Sequence, residues 1–434
     1  MIDNDSMNRY FASSQQLVRA EKVIPLGSQT FSKSRTQYPV GVSPLYATKA
    51  KGPYIWDVDG NRYVDLVNSL ASITLGYADK DVERAVKKQL KLAISMSLPG
   101  VLESEVAELI VEMVPSAEMV RFGKNGTDAT SAAIRLARAY TGRDHIAVCG
   151  YHGWQDWYIG STTRNKGIPE SVSRLTHKFD FNDIKSLQDI IANNPDQISA
   201  VIMEPMNSQW PNQGFLEEIR TITQAKGIVL IFDETITGFR FSRGGAQELF
   251  GVTPDLSTFG KGLANGFPLS VIAGKREIMM EMEEIFFSGT FGGELLSLAA
   301  AKVVLKKHQN EDITGQLTNI GKQISDIVTT QIKKNDLGHV LSLSGHDSWK
   351  FLNWSDVGNI SVNQIKTLFL QEMFRNGILV LGTHNVSLSH YGQPILLLEK
   401  AYAESLKIIA KAVRNDSIDG VLEVEPLVPL FKVR

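Results

Sequence analysis

Three strand-like stretches in this 434-residue sequence each end in groups able to do chemistry. Met119-Val120-Arg121-Phe122 leads through Gly123-Lys124-Asn125-Gly126-Thr127 into a helical pattern that begins at Asp128. A helix N-terminus offers unpaired N–H groups and roughly half a positive charge, which suits a phosphate. Gly126 would let backbone approach the anion and Thr127 would add a hydroxyl; the segment also reads as a capped helix after a tight turn. Ile228-Val229-Leu230-Ile231-Phe232 ends in Asp233, a carboxylate that needs a partner to stay charged beside a buried strand. That partner could be a helix terminus, a cation or a protonated ring nitrogen. Thr258-Phe259-Gly260 precedes Lys261, which is either an ordinary surface residue or an amine confined for Schiff-base chemistry. In this order a phosphate cradle, a counter-ion for a pyridinium and an imine-forming lysine are the parts that pyridoxal phosphate requires. Tyr151, in Tyr151-His152-Gly153, adds an aromatic able to stack on the ring.

The elements that must position these groups follow from periodicity. Ile146-Ala147-Val148-Cys149, Ala200-Val201-Ile202-Met203 and Ile228 to Phe232 are short, wholly apolar and ended by polar or glycine residues, as strands covered on both faces are. Between them run helical patterns. From Asp128 to Tyr140, Ala129, Ala132, Ala133, Leu136 and Tyr140 share one face, Arg135 and Arg138 lie off it, and Gly142 is the stop. Alternation of this kind predicts an α/β protein with a mostly parallel central sheet. A second long helix is predicted from about Leu298, a further strand at Gly377 to Leu381, and a hairpin around Asp59-Gly60. The expected organisation is an N-terminal segment over 1–69, a large cofactor-binding domain over 70–310 and a C-terminal segment over 311–434, the two ends combining into one smaller α+β domain.

Composition narrows the class of partner. There are 45 basic and 47 acidic residues, a net charge of −2, with no block of five like charges, so nucleic acid is not an expected partner. Apolar runs of about five residues fall far short of the roughly 20 needed to span a bilayer, so no membrane partner is expected either. Cys149 is the single cysteine, which excludes an internal disulfide framework and a multi-cysteine zinc site; no metal is expected. The acidic start Met1-Ile2-Asp3-Asn4-Asp5 does not read as a secretory signal, and a reducing, cytoplasmic setting is the expectation.

Phe122-Gly123-Lys124-Asn125-Gly126-Thr127-Asp128-Ala129-Thr130, Ile134 to Asp144, Tyr151-His152-Gly153, Phe232-Asp233-Glu234, Thr237-Gly238-Phe239-Arg240 and Phe259-Gly260-Lys261 together resemble the class III pyridoxal-phosphate-dependent aminotransferases. Within them the resemblance points to the glutamate-1-semialdehyde 2,1-aminomutase-like subgroup and covers nearly the whole chain from about Pro25. It implies a fold-type I transferase and a homodimer with active sites at the subunit interface. It also implies pyridoxal 5'-phosphate that cycles through pyridoxamine 5'-phosphate. By position, Lys261 is the implied internal-aldimine lysine and proton shuttle, and Asp233 the partner of the pyridine nitrogen. Gly126 and Thr127 are the implied phosphate holders, with Tyr151 over one ring face and His152 and Glu204 near the cofactor. Thr290, in Ser288-Gly289-Thr290, is the implied threonine that reaches the partner's phosphate.

The chain also departs from the mutase pattern. Phe291-Gly292-Gly293-Glu294-Leu295 replaces an asparagine-proline pair after Thr290, and the connection from Trp154 to Pro169 is shorter than the gating loop of the mutases, which favours simple transamination. Ser28-Gln29-Thr30-Phe31-Ser32-Lys33 lacks the arginine that grips a substrate carboxylate; the candidates there are Lys33 and Arg35, and lysine does not replace the guanidinium fork. Thr235 stands where the family often has an apolar β-branched residue, a change expected to adjust packing only. Trp154 and His384 complete the substrate candidates, each weighed against a packing role, as are His390 and Trp157; Cys149 reads as core. Gly260 to Gly266 has the wrong spacing for a dinucleotide fingerprint.

The function expected is transfer of an amino group from an amino donor to an aldehyde or ketone, both small molecules. By analogy with the subgroup, the setting would be surface-polysaccharide or amino-sugar metabolism. The alternatives are the 2,1-aminomutase reaction, giving 5-aminolevulinate, and a non-catalytic scaffold of the same fold.

Overall fold

The computed structural model describes residues 9–428; Met1 to Asp5, read above as no secretory signal, lie outside that range. Two compact units form. One is Lys80–Gly315, and the other combines the described residues up to Asp79 with those from Gln316 onward. The first divide falls later than residue 69 because the segment after it is tied back to the terminal unit. Gly52 and Tyr77 form an antiparallel backbone bridge, and Leu388 N donates to Thr74 O.

In the terminal unit β1 (Ala47–Lys51), β2 (Tyr54–Asp57) and β3 (Arg62–Asp65) make an antiparallel meander whose second turn carries Asp59 and Gly60. Gly60 has φ +88°, the conformation that only glycine adopts freely there.

The central unit is built on seven strands: β4 (Met119–Gly123), β5 (His145–Cys149), β6 (Thr176–Lys178), β7 (Ile198–Met203), β8 (Val229–Asp233), β9 (Leu256–Phe259) and β10 (Ser270–Gly274). Their order is β4-β10-β9-β8-β7-β5-β6. All pairings from β9 to β6 are parallel, and β10 runs antiparallel to both its neighbours. Alternation along each strand feeds two apolar layers. Ile146, Val148, Ala200, Ile202, Val229 and Ile231 pack with Ala129, Ala133 and Leu136 of the helix Gly126–Thr141 on one face. Ala147, Cys149, Val201, Met203, Leu230 and Phe232 pack with Phe215, Leu216 and Ile219 of the helix Phe215–Ala225 on the other. Because both faces are covered, these strands show no polar alternation. Each fully buried aliphatic side chain there contributes about 1.5–3 kcal/mol.

The rest of the terminal unit adds the hairpin β11 (Leu341–His346) and β12 (Trp349–Trp354), then β13 (Ile378–Leu379) and β14 (Thr383–Asn385). β13 pairs in parallel with β3, Ile378 opposite Val64, so strands from the two ends of the chain share one sheet. No helix among the described residues is long and apolar enough to cross a membrane.

Candidate active site

Ligands in an open parallel sheet bind beyond the carboxyl ends of the strands, and the central unit has a cavity of about 230 Å³ lined by the ends of β7 and β8 and the turns after β4, β5 and β9. The turn after β4 is shaped by Asp128, whose Oδ2 accepts from Lys124 N (3.1 Å) and Asn125 N (2.8 Å). The next two N–H groups, of Gly126 and Thr127, have no acceptor among the described residues and belong to residues that line the cavity. Two unpaired donors at the start of a helix are an anion cradle. The turn after β5 closes against it. Gly153 has φ +104°, and a Cβ there would sit 2.4 Å from Thr127 Oγ1, so both conformation and space demand glycine.

Asp233 ends β8 and is almost fully buried. Its Oδ1 accepts from Thr235 N (3.1 Å), Thr235 Oγ1 (2.6 Å) and Thr258 Oγ1 (3.0 Å). Its Oδ2 faces His152 Nδ1 at 2.8 Å, while His152 Nε2 lies 3.1 Å from the Cys149 carbonyl. Both imidazole nitrogens are therefore engaged, one by the carboxylate and the other by a backbone carbonyl. Burial alone pushes Asp233 up; the bonds and charge of His152 and the Thr235 bonds overcome it and hold the carboxyl below its ordinary range. Glu234, the next residue, is equally buried and accepts from Thr237 Oγ1, Ala246 N and Gln247, yet burial wins there and its carboxyl is pushed up. The difference between the two neighbours is His152, which acts on Asp233 and not on Glu234. Trp157 stacks on the far side of His152 with rings 6.4 Å apart, and its Nε1 donates to Ser131 Oγ, so Trp157 is a packing residue that fixes the imidazole.

Lys261 follows β9 on the cavity wall with φ +41°, a conformation non-glycine residues rarely adopt. Strain of this kind persists only where surrounding structure imposes it, and it gathers at functional sites. Tyr151, Glu204 and the exposed Trp154 line the same cavity. Glu204 Oε2 accepts from Tyr151 N, and Tyr151 meets Tyr158 edge to face at 5.6 Å.

The expected residues Lys261, Asp233, Gly126, Thr127, Tyr151, Glu204 and Trp154 therefore converge. His152 lines the same cavity, with both ring nitrogens engaged, one of them by Asp233. Thr290 is exposed and is not part of the cavity wall of its own chain. Two threonines went unassigned in the sequence. Thr258 could have been found from register, since the parallel pairing of β8 and β9 sets it opposite Asp233. Thr235 was read as packing only; its hydroxyl bond to Asp233 corrects that.

Lys33, Arg35 and His384 belong to the terminal unit. Lys33 lines a cavity of about 330 Å³ with Tyr38, Asp65 and Tyr77, its Nζ 3.4 Å from Ser69 Oγ. Arg35 is committed to an ion pair with Glu21 and lines neither cavity. His384, expected as a substrate residue, is instead core. It is 1% exposed, hydrogen-bonded through Nε2 to the Tyr402 hydroxyl, and absent from both cavities. His390 is likewise buried, with Nε2 on the Asp65 carbonyl. Burial, with smaller contributions from His390 and Lys350, pushes His384 down from 6.5 to about 3. Below the ordinary histidine range the unfolded chain binds a proton that folded His384 refuses. The stability supplied by the neutral ring is therefore full above about 6.5 and lost as pH falls toward about 3. In urea unfolding between about pH 6 and about pH 4, wild type should lose about 1.4 kcal/mol per pH unit more than His384→Gln. Parallel pH slopes would show that His384 titrates in the fold.

A mostly parallel sheet whose strand ends gather an amine, a buried charged carboxylate and an anion cradle in one cavity defines a fold-type I transferase site. The chain belongs to the class-III aminotransferase family, whose model matches residues 37–413, and it is an enzyme of that class. It is 41% identical over 304 residues to a glutamate-1-semialdehyde 2,1-aminomutase of Syntrophobacter fumaroxidans, covering 66% of this chain and 70% of that one. With the protein of the same name from Aquifex aeolicus it shares 34% identity over 387 residues, 83% and 90% of the two chains. Among solved structures, the PLP internal aldimine form of the FumI protein of Sphingopyxis sp. MTA144 superposes with a TM-score of 0.86 at 26% identity, over 95% of this chain and 98% of that one.

Proposed function

We propose that the chain is a pyridoxal-phosphate-dependent aminotransferase that passes an amino group from a small amino donor to a small carbonyl acceptor, with Lys261 as its reactive amine. The observation that carries this is one cavity uniting Lys261, Asp233 and the two unpaired N–H groups of Gly126 and Thr127, which arrive from three different strand ends.

The residues fit the cofactor. Unpaired N–H groups at a helix start suit a dianionic phosphate, and a carboxylate kept ionised in a buried place suits a protonated ring nitrogen. When bound, pyridoxal phosphate carries the amino group and delocalises the negative charge that develops at the donor's α carbon. The chain's own residues do the rest. Gly126 N, Thr127 N and Thr127 Oγ1 would hold the phosphate, and Tyr151 would cover one ring face. Asp233, to which His152 is bonded, would keep the ring nitrogen protonated. Lys261 Nζ would be the amine that anchors the cofactor and the group that moves the proton from the donor's α carbon.

A visible spectrum of purified protein tests the reading. Protein loaded with pyridoxal phosphate should be yellow, and glutamate, the donor probe, should discharge the colour with no acceptor present. The names of the relatives favour a second reading, the 2,1-aminomutase reaction, in which one molecule is both donor and acceptor. Colour that ignores glutamate but responds to glutamate-1-semialdehyde, with turnover unaided by a second substrate, would select it. Protein that takes up no cofactor would leave only a scaffold.

We further read the active form as a cytoplasmic homodimer. Support comes from a ridge of exposed apolar side chains in the central unit, Leu90, Leu92, Ile94, Met96, Leu98 and Val101, the last two 77% and 75% exposed. Exposed apolar side chains concentrated in one segment favour an interface, and the exposed Thr290 would serve the partner's phosphate across it. Thr290→Ala should lower cofactor affinity about tenfold, the worth of one hydrogen bond to a charged group, without moving the melting temperature. A monomer that retains cofactor and turnover would refute the shared site.

A further inference from the structure

The two oxygens of Asp233 are served unequally. Each carboxylate oxygen has about two lone-pair sites. Oδ1 receives three donors, Thr235 N, Thr235 Oγ1 and Thr258 Oγ1, and is full. Oδ2 receives His152 Nδ1 alone and keeps one site open. The shortest of the four contacts is the Thr235 hydroxyl, at 2.6 Å. Its rotamer is set from the other side: the Thr235 methyl is wedged toward two glycines, where a Cβ on Gly126 would meet it at 3.0 Å and one on Gly260 at 3.3 Å. With the methyl held there, the hydroxyl points at the carboxylate.

We propose that Thr235 is a positioning residue for the cofactor ring: by filling Oδ1 and locking the carboxylate's rotation, its hydroxyl leaves a single acceptor site, on Oδ2, for the ring nitrogen. The assignment rests on the pyridoxal-phosphate reading above. Thr235 acts through Asp233 in two ways. It fixes which oxygen is available, and its hydrogen bond stabilises the buried anion, which would keep the shared proton on the ring nitrogen. Valine has the same shape and branches at the same carbon. It would keep the methyl contact and lose both effects.

The test uses the full chain loaded with nitrogen-15-labelled pyridoxal phosphate. In wild type and Thr235→Ser the ring nitrogen should resonate at the protonated position. In Thr235→Val it should move toward the unprotonated position, and equilibrium dialysis should show cofactor affinity reduced about tenfold. Thermal melts of the three proteins separate this from a folding defect, and rescue by serine separates it from packing. If valine and wild type share the same ring-nitrogen shift and affinity, Thr235 only packs and the assignment falls while the function stands. If wild type itself fails to bind pyridoxal phosphate, the function and this assignment fall together.

Discussion

Lys261→Ala should retain the fold and lose turnover. In the proposed mechanism the amine would make the covalent link and move the substrate proton, and proton transfer by a positioned group alone is worth about 10²–10⁴-fold. Two measurements separate these roles. Borohydride treatment of the loaded wild type should fix the cofactor to the peptide that contains Lys261, and the variant should gain no mass. In single turnover with a donor, the variant should be slower by at least about 10³-fold, and a small added amine should restore part of the rate, because it supplies the proton acceptor that the side chain no longer provides. Cofactor fixed to another lysine, or a variant within tenfold of wild type, would remove Lys261 from the centre of the mechanism. The left-handed backbone at Lys261 adds an expectation for the apoprotein. Alanine should bring no relief of strain, since φ +41° is unfavourable for it too, whereas Lys261→Gly should be the more stable of the two variants.

Asp233 should answer differently to two substitutions. Asp233→Asn still accepts from the Thr235 and Thr258 hydroxyls, and its amide can face a His152 that has given up its Nδ1 proton, so the fold should survive. What is lost is the charge that holds the ring nitrogen protonated, and turnover should fall by on the order of 10³-fold. Asp233→Ala leaves His152 Nδ1 and the Thr235 and Thr258 hydroxyls without their buried acceptor, and each such unsatisfied group costs about 1–3 kcal/mol of stability. Chemical denaturation of both variants beside wild type makes the comparison; an alanine variant as stable as the asparagine one would mean that these groups find other partners. The pH dependence has a definite sign. The carboxyl is held below its usual 3.8, so its contribution is complete above that value and is lost only as pH falls through the lower, folded value. The acidic limb of wild-type turnover should therefore come from groups other than Asp233.

Much of the site was legible in the sequence for a simple reason. Strands covered on both faces are uninterrupted apolar runs, so the first polar residue after each run marks a strand end, and strand ends are where such sheets bind ligands. Asp233 fell out of that rule; β4 carries Arg121 and β9 carries Ser257 and Thr258, so the Gly126-Thr127 turn and Lys261 were marked instead by the glycines beside them. The rule is blind to contacts between distant segments. His152 was assigned to the cofactor because it follows Tyr151; its partner lies 81 residues away, and only folding shows that it addresses the carboxylate. His384 misled for the opposite reason. Beside Asn385 and Ser387 it reads as a polar loop, but the Tyr402 hydroxyl comes from the terminal helix Gln393–Asn415 and satisfies it inside the core. The antiparallel β10 was also illegible, because a buried strand carries no mark of its direction.

The pairing of β3 with β13 has a consequence for how the chain is made. The meander β1 to β3 leaves the ribosome early, with the open edge of β3 exposing the backbone groups of Val64 and Leu66, which in the finished molecule bond Gly377 and Leu379. At about 5–20 residues per second, the roughly 300 residues between the two strands take about 15–60 s to appear. By then the whole of Lys80–Gly315 has emerged and can fold. The nascent protein therefore holds a finished cofactor domain and an unpaired β-edge at the same time. That edge is where a chaperone, or a second nascent chain, would act first.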